Sequence, residues 1–142
     1  MARHRRDDQD FRLADMLAID HPVEMGEFEL IRFDAQGVPH EMAITGRVPA
    51  LDKVRLAEDL KKICESQIAF FEPASKAAPM DRYVFLTLAV GDGYGGLEHR
   101  ASTALICARN DLPVIGQTEM SDAYRGFLGL CSHEYFHTWN VK

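Results

Sequence analysis

Two histidines four residues apart, with a glutamate beside the first, stand near the end of this chain as His133-Glu134-Tyr135-Phe136-His137. On a helix, residues at that spacing lie one turn above each other on the same face. Both imidazoles can therefore offer nitrogens to one ion, and Glu134 can hold and deprotonate a water there. Zinc suits such a donor set, because it takes imidazole and carboxylate ligands and keeps one position open in catalytic sites. Such a site takes three protein ligands and this pair supplies two. The third is expected beyond Lys142, with the chain read as a piece of a larger enzyme.

The element that must present these residues is a helix over 121–140. Ser121 is a suitable N-cap and Asp122 places negative charge in the first turn. Tyr124, Phe127, Leu128, Leu130, Cys131, Tyr135, Phe136 and Trp139 make the window apolar on nearly every side, which predicts a buried helix. Buried histidines and a buried glutamate are costly without partners. That cost favours a metal over two hydrogen-bonded core histidines that match the motif by accident.

The preceding elements read as supports. Residues 27–33 and 41–46 have strand character on either side of the turn signal Asp34-Ala35-Gln36-Gly37, which predicts a β-hairpin. His40, near that turn, reads as a solvated polar residue. Asp52 is a plausible N-cap for an amphipathic helix running to Phe71, with Leu56, Leu60, Ile63, Cys64, Gln67, Phe70 and Phe71 on one face. Residues 82–90 form a continuous apolar run, expected to be a central strand buried on both faces. The glycine-dense stretch Gly91-Asp92-Gly93-Tyr94-Gly95-Gly96 lacks the G-x-x-x-x-G-K-[ST] pattern of a phosphate loop and reads as a flexible loop leading into a site. Strand character resumes over 97–109. Residues 11–17 could form a short amphipathic turn, and residues 1–20 are expected to be a partly disordered extension ahead of one domain over 21–142. The order β-β-α-β-β-α predicts an α+β layer with helices packed on a sheet.

Composition excludes some functions. The 142 residues carry a net charge of −6, with 46% hydrophobic and 27% charged residues. This is an ordinary globular balance that offers no basic face to nucleic acid. No apolar run reaches the length of a membrane span and no signal-peptide pattern opens the chain, and the compartment stays unassigned. Cys64, Cys107 and Cys131 are odd in number and far apart, and read as free core thiols.

Gly95-Gly96-Leu97-Glu98-His99, then Ser102, then Ser121-Asp122 leading into His133-Glu134-Tyr135-Phe136-His137-Thr138-Trp139-Asn140, together resemble the glycyl aminopeptidase family of zinc metallopeptidases. Asp20-His21-Pro22-Val23-Glu24-Met25-Gly26 is similar to that family's entry into its catalytic domain. The resemblance implies a gluzincin with a thermolysin-like domain, in which a mixed sheet packs on the H-E-x-x-H helix. A following helical lobe, absent from this chain, would bring the third ligand. It implies His133 and His137 as zinc ligands and Glu134 as general base. Gly95, Gly96, Leu97 and Glu98 would line the substrate cleft, with Glu98 binding the free amine of a peptide. The glycines there would let a peptide backbone approach closely.

The reading is therefore a zinc aminopeptidase acting on small N-terminal residues such as glycine or alanine, held here as a catalytic-domain piece inactive by itself. Its partner would be a peptide, with neither nucleic acid nor membrane involved. Self-association is expected through apolar surface left by truncation. The alternatives are a non-catalytic peptide-binding module of the same fold, or a zinc hydrolase of a non-peptide amide.

Overall fold

A computed structural model describes residues 22–140. The 11–17 turn, the whole 1–20 extension with its expected disorder, and Asp20 and His21 of the family-like entry segment lie outside the described residues. The elements run β1 (Glu29–Ala35), β2 (Val38–Thr45), α1 (Lys53–Phe71), β3 (Tyr83–Val90), β4 (Gly95–Glu98), β5 (Ser102–Ala108), a 3-10 turn (Arg109–Asp111) and α2 (Asp122–Phe136). The fold class is α+β, as the element pattern predicts: among the described residues, one mixed five-stranded sheet with two helices.

The sheet order is β1-β2-β3-β5-β4. β1 and β2 form the expected hairpin, closed more tightly than its turn signal suggests. Ala35 pairs with Val38, leaving Gln36 and Gly37 as a two-residue loop. Both have positive φ, 50° and 78°, the geometry whose twist matches that of the flanking strands. The Asp34 carboxylate accepts the Gly37 N–H at 2.9 Å. α1 then carries the chain across to β3, which lies parallel to β2, and β5 lies parallel to β3. β4 doubles back antiparallel on β5 and forms the edge. The segment 95–98 is therefore a strand, and the loop is confined to Gly91–Tyr94. Tyrosine and glycine at its end gave no alternation from which a strand could be read.

Pairing register fixes which residues face the helices. Phe33, His40 and Tyr83 are opposite one another, as are Ile31, Met42, Phe85 and Thr103. With Leu56, Leu60, Cys64 and Ile68 of α1 and Tyr124, Phe127, Leu130, Cys131 and Tyr135 of α2 they make the core. Phe70, placed by periodicity on the buried face of α1, is 76% exposed, because Leu56, Leu60, Cys64 and Ile68 at strict four-residue spacing already fill that face. β3 is buried on one side only. Tyr83, Phe85, Thr87 and Ala89 are covered, whereas Val84, Leu86, Leu88 and Val90 point to the face that carries no helix. Across that open face runs a row of Leu30, Ala43, Leu86, Ala104 and Leu97, one residue from each strand. A groove of about 550 Å³ lies there, its polar end made by Arg32, Glu41 and Arg82. The two guanidiniums, Arg32 first, hold the Glu41 carboxyl below the usual carboxylate range.

α1 also anchors the loop that feeds α2. Asp52 caps α1 by accepting the Arg55 N–H at 3.0 Å, and its own N–H reaches the Pro113 carbonyl at 2.9 Å. Arg55 donates to the carbonyls of Gln117 at 2.5 Å and Glu119 at 3.1 Å, with its guanidinium over the Tyr124 ring. These bonds satisfy carbonyls of an otherwise irregular segment just before Ser121 caps α2. The three cysteines are free and buried. Burial pushes the Cys107 thiol up to about 12, with a smaller push from the Asp111 charge. Among the described residues no helix is long and apolar enough to cross a membrane.

His40 departs most from its sequence reading. It is fully buried, not solvated, since β2 begins at Val38 and its alternation turns residue 40 inward with Met42 and Ile44. Burial lowers its pKa below the ordinary 6.5, outweighing the Val38 carbonyl and the Asp34 charge that favour the cation. As pH falls below 6.5 the unfolded chain takes up a proton that the folded chain refuses. This contribution to stability is thus present above 6.5 and is lost as pH falls through the folded-state pKa. Urea unfolding between pH 7.5 and 5 should show stability declining with acid, and the decline should be shallower in His40→Leu.

Candidate metal centre

α2 brings the chemistry-bearing residues together at its C-terminal end. Ser121 caps the helix through the Tyr124 N–H at 3.1 Å, and regular helix ends at Phe136, with His137 as the C-cap. The predicted continuation to Asn140 is a turn instead. Its bonds run from the N–H groups of His137, Thr138 and Trp139 back to the carbonyls three residues earlier. The helix is also less buried than its composition predicts. Asp122, Arg125, Gly126, Gly129 and His133 lie on an exposed face, because the sheet covers one side of α2 only.

His133 and His137 converge across that final turn. Their Nε2 atoms are 3.2 Å apart, and the rings meet edge to face. Two nitrogens each about 2.0–2.1 Å from a tetrahedral zinc stand roughly 3.3 Å apart. The ring of His137 is held by the turn beyond it: Nδ1–H donates to the Asn140 carbonyl at 3.1 Å, which leaves Nε2 unprotonated and directed toward His133. Ser132, just before His133, is tied to α1, since Gln67 Nε2 donates to its carbonyl at 2.8 Å and to its hydroxyl at 2.9 Å. Trp139 closes the same corner by donating to Glu72 at 3.0 Å and stacking on Phe71.

β4 supplies the other wall. Opposed residues of antiparallel strands share a face. Gly96 opposite Leu105 and Glu98 opposite Thr103 are therefore on the helix side, and Gly95 and Leu97 on the open side. Leu97 is 59% exposed there. Gly95, Gly96, Leu97 and Glu98 are thus one edge strand, but only Gly96 and Glu98 face the histidine helix. The side chain of Glu134 lies directly across Gly96. A Cβ at residue 96 would stand 2.5 Å from Glu134 Oε1 and 2.7 Å from its Cγ and Cδ. Only glycine leaves that carboxylate its place.

Glu98, Glu134 and His137 each offer a ligand atom within 4.8 Å of the others. Glu134 is 5% exposed, and its Oε2 has no hydrogen-bond partner. A buried carboxylate oxygen without a partner is unfavourable unless a cation or a proton donor meets it. The spacing of the two nitrogens, the fixed tautomer of His137 and this lone carboxylate oxygen all fit a divalent ion of zinc type.

A fold of this kind, a five-stranded mixed sheet carrying two helices, matches part of an aminopeptidase domain. The crystal structure of an aminopeptidase N family protein from Idiomarina loihiensis superposes with a TM-score of 0.77 at 50% identity, covering 82% of this chain and 19% of that one. The family model for M61 glycyl aminopeptidase matches residues 126–142, which hold the two histidines. Both comparisons support a likeness of this chain to the M61 glycyl aminopeptidase family. It spans about a fifth of the length of that solved relative. Comparison with curated proteins gave no significant match.

The approach of β4 to α2 can be tested without any ligand. Gly96→Ala should destabilise the chain by about 1–3 kcal/mol, the usual cost of forcing atoms into a filled space. Gly95→Ala, whose added methyl meets nothing within 4 Å, should be close to neutral. Urea unfolding of the two variants side by side checks the difference.

Proposed function

We propose that this chain is the sheet-bearing part of the catalytic domain of a zinc aminopeptidase. The observation that carries this is the 3.2 Å approach of His133 Nε2 to His137 Nε2 beside the buried carboxylate of Glu134. His133 and His137 would hold the ion, with a third protein ligand supplied from outside this chain. Zinc held there would supply Lewis-acid polarisation of the scissile carbonyl and acidify the attacking water.

Glu134 is the general base in this reading. Its Oε2 would take the proton of the water and pass it to the leaving amine. Burial against Gly96 keeps the carboxylate in one place, so little reorganisation accompanies the transfer. Glu98 would receive the ammonium of the substrate. β4 is an edge strand, and an extended peptide can add to such an edge by main-chain hydrogen bonds. An ammonium bound by a carboxylate on the helix side of that edge would set which peptide bond reaches Glu134. Gly95, Gly96 and Leu97 would form the rest of the wall, and small first residues such as glycine or alanine would be preferred. Residues 21–142 would act as one unit of the larger domain. The apolar row on the open sheet face, with Leu88 and Ile106 beside it at 42% and 44% exposure, would drive self-association of the chain alone. A monodisperse monomer by light scattering at high concentration would contradict that association.

In the full-length protein, Glu134→Gln should abolish peptide hydrolysis, by a factor on the order of 10² to 10⁴, while zinc stays bound. Retained turnover would remove Glu134 as the base. Calorimetric zinc titration of this chain beside His133→Ala tests the ligands. Binding lost in the variant is expected, and equal binding in both would exclude His133.

A further inference from the structure

Behind the two histidines, on the opposite side of α2, lies a buried polar chain that the proposed chemistry does not use. Tyr135 is two positions from each imidazole, so it points away from them and into the core. Its hydroxyl is 2.9 Å from His40 Nε2, and His40 Nδ1 is 2.8 Å from the Val38 carbonyl. A carbonyl only accepts, so Nδ1 carries the proton and the neutral ring must accept at Nε2 from the Tyr135 O–H. Donation therefore runs one way, from Tyr135 on α2 through His40 to the backbone of β2.

We infer that His40 is a positioning residue for His133, Glu134 and His137, acting through the Tyr135 hydroxyl. The inference rests on the metal reading of that trio. Ring packing alone fixes α2 poorly about its own axis. Tyr135 meets His40, Tyr83, Phe85 and Trp139 at centroid separations of 4.8–6.1 Å, contacts that tolerate sliding. A hydrogen bond has a required direction and length. His40 and Tyr135 are fully buried, so no water can substitute for a lost partner. Side-chain atoms on a helix stand about 5–6 Å from its axis, so a rotation of 10° moves them by roughly 1 Å. Functional constellations tolerate about half that displacement. The bond on the core side therefore acts with the Gln67 bonds to Ser132 to set the aim of the imidazoles on the exposed side.

Cobalt(II) titration of the full 142-residue chain, followed by its visible absorbance, tests this without any substrate. Tyr135→Phe keeps every ring contact and removes one hydroxyl. His40→Leu removes the acceptor, and His40→Gln restores an acceptor oxygen. Affinity should fall on the order of ten- to a hundred-fold in Tyr135→Phe and His40→Leu, the range found when groups that orient metal ligands are lost. His40→Gln should recover part of it. Ile68→Val, in the core of α1 and away from this network, is the control for lost packing. Unchanged affinity in Tyr135→Phe, or an equal fall in Ile68→Val at matched stability, would overturn the inference and leave the metal reading intact. Failure of the unaltered chain to bind cobalt would overturn both.

Discussion

The side chain of Glu134 lies against the backbone of β4 so closely that residue 96 can have no Cβ, and much of the architecture can be derived from that contact. For a carboxylate on a helix to lie this close to the main chain of a strand, the residue facing it must lack a side chain. β4 meets that condition, since its pairing with β5 sets Gly96 opposite Leu105, on the helix side. The same register carries Glu98, two residues on, to the same side. One carboxylate is thus brought from the helix and one from the strand into reach of His137. A side chain at residue 96 would push the Glu134 carboxylate out of that place.

Holding α2 at that distance takes the rest of the fold. Its start is fixed by Ser121 and by Arg55, which gathers the carbonyls of Gln117 and Glu119. Its end is fixed to α1 twice, through Gln67 on Ser132 and Glu72 on Trp139. Its core side is fixed by Tyr135 on His40. These anchors come from β2, from α1 and from the loop beyond β5. Each is a directional polar bond set among apolar contacts, which suits a helix that must be placed as well as buried.

The parts legible in the sequence were those written in local spacing. Histidines at i and i+4 had to share a face once the segment was helical, and Ser121 and Asp52 are caps by their chemistry alone. The hairpin was legible because Asp34 and Gly37 bracket a tight turn. Harder to read was what depends on partners distant in sequence. The run at 82–90 is apolar at both parities, and nothing in it records that helices cover only one face of the sheet. Gly95-Gly96 carries no strand pattern, because its pairing with β5 and the bulk of Glu134 dictate glycine there. His40 was misread for a different reason. A turn signal beside a polar residue suggests solvent, yet residue 40 shares the parity of Met42 and Ile44, and that alternation already pointed inward.

Parity also explains how one sheet serves two surfaces. On the helix side, Tyr83, Phe85 and Met42 are sealed beneath α1 and α2, and His40 among them is bonded to the Tyr135 hydroxyl and the Val38 carbonyl. On the other side, Leu30, Ala43, Leu86, Ala104 and Leu97 make an apolar row interrupted by the Arg32–Glu41–Arg82 cluster. A charged cluster at one end of an apolar row allows partial solvation of that face while the helix side stays dry. The two faces meet at β4, where successive residues alternate between them: Leu97 looks outward and Glu98 inward. A one-residue slip of β4 against β5 would exchange them, putting a leucine beside Glu134 and a carboxylate on the apolar row. The close fit of Gly96 on Glu134 opposes that slip, so the contact that seats the carboxylate also holds the register of the strand beside it.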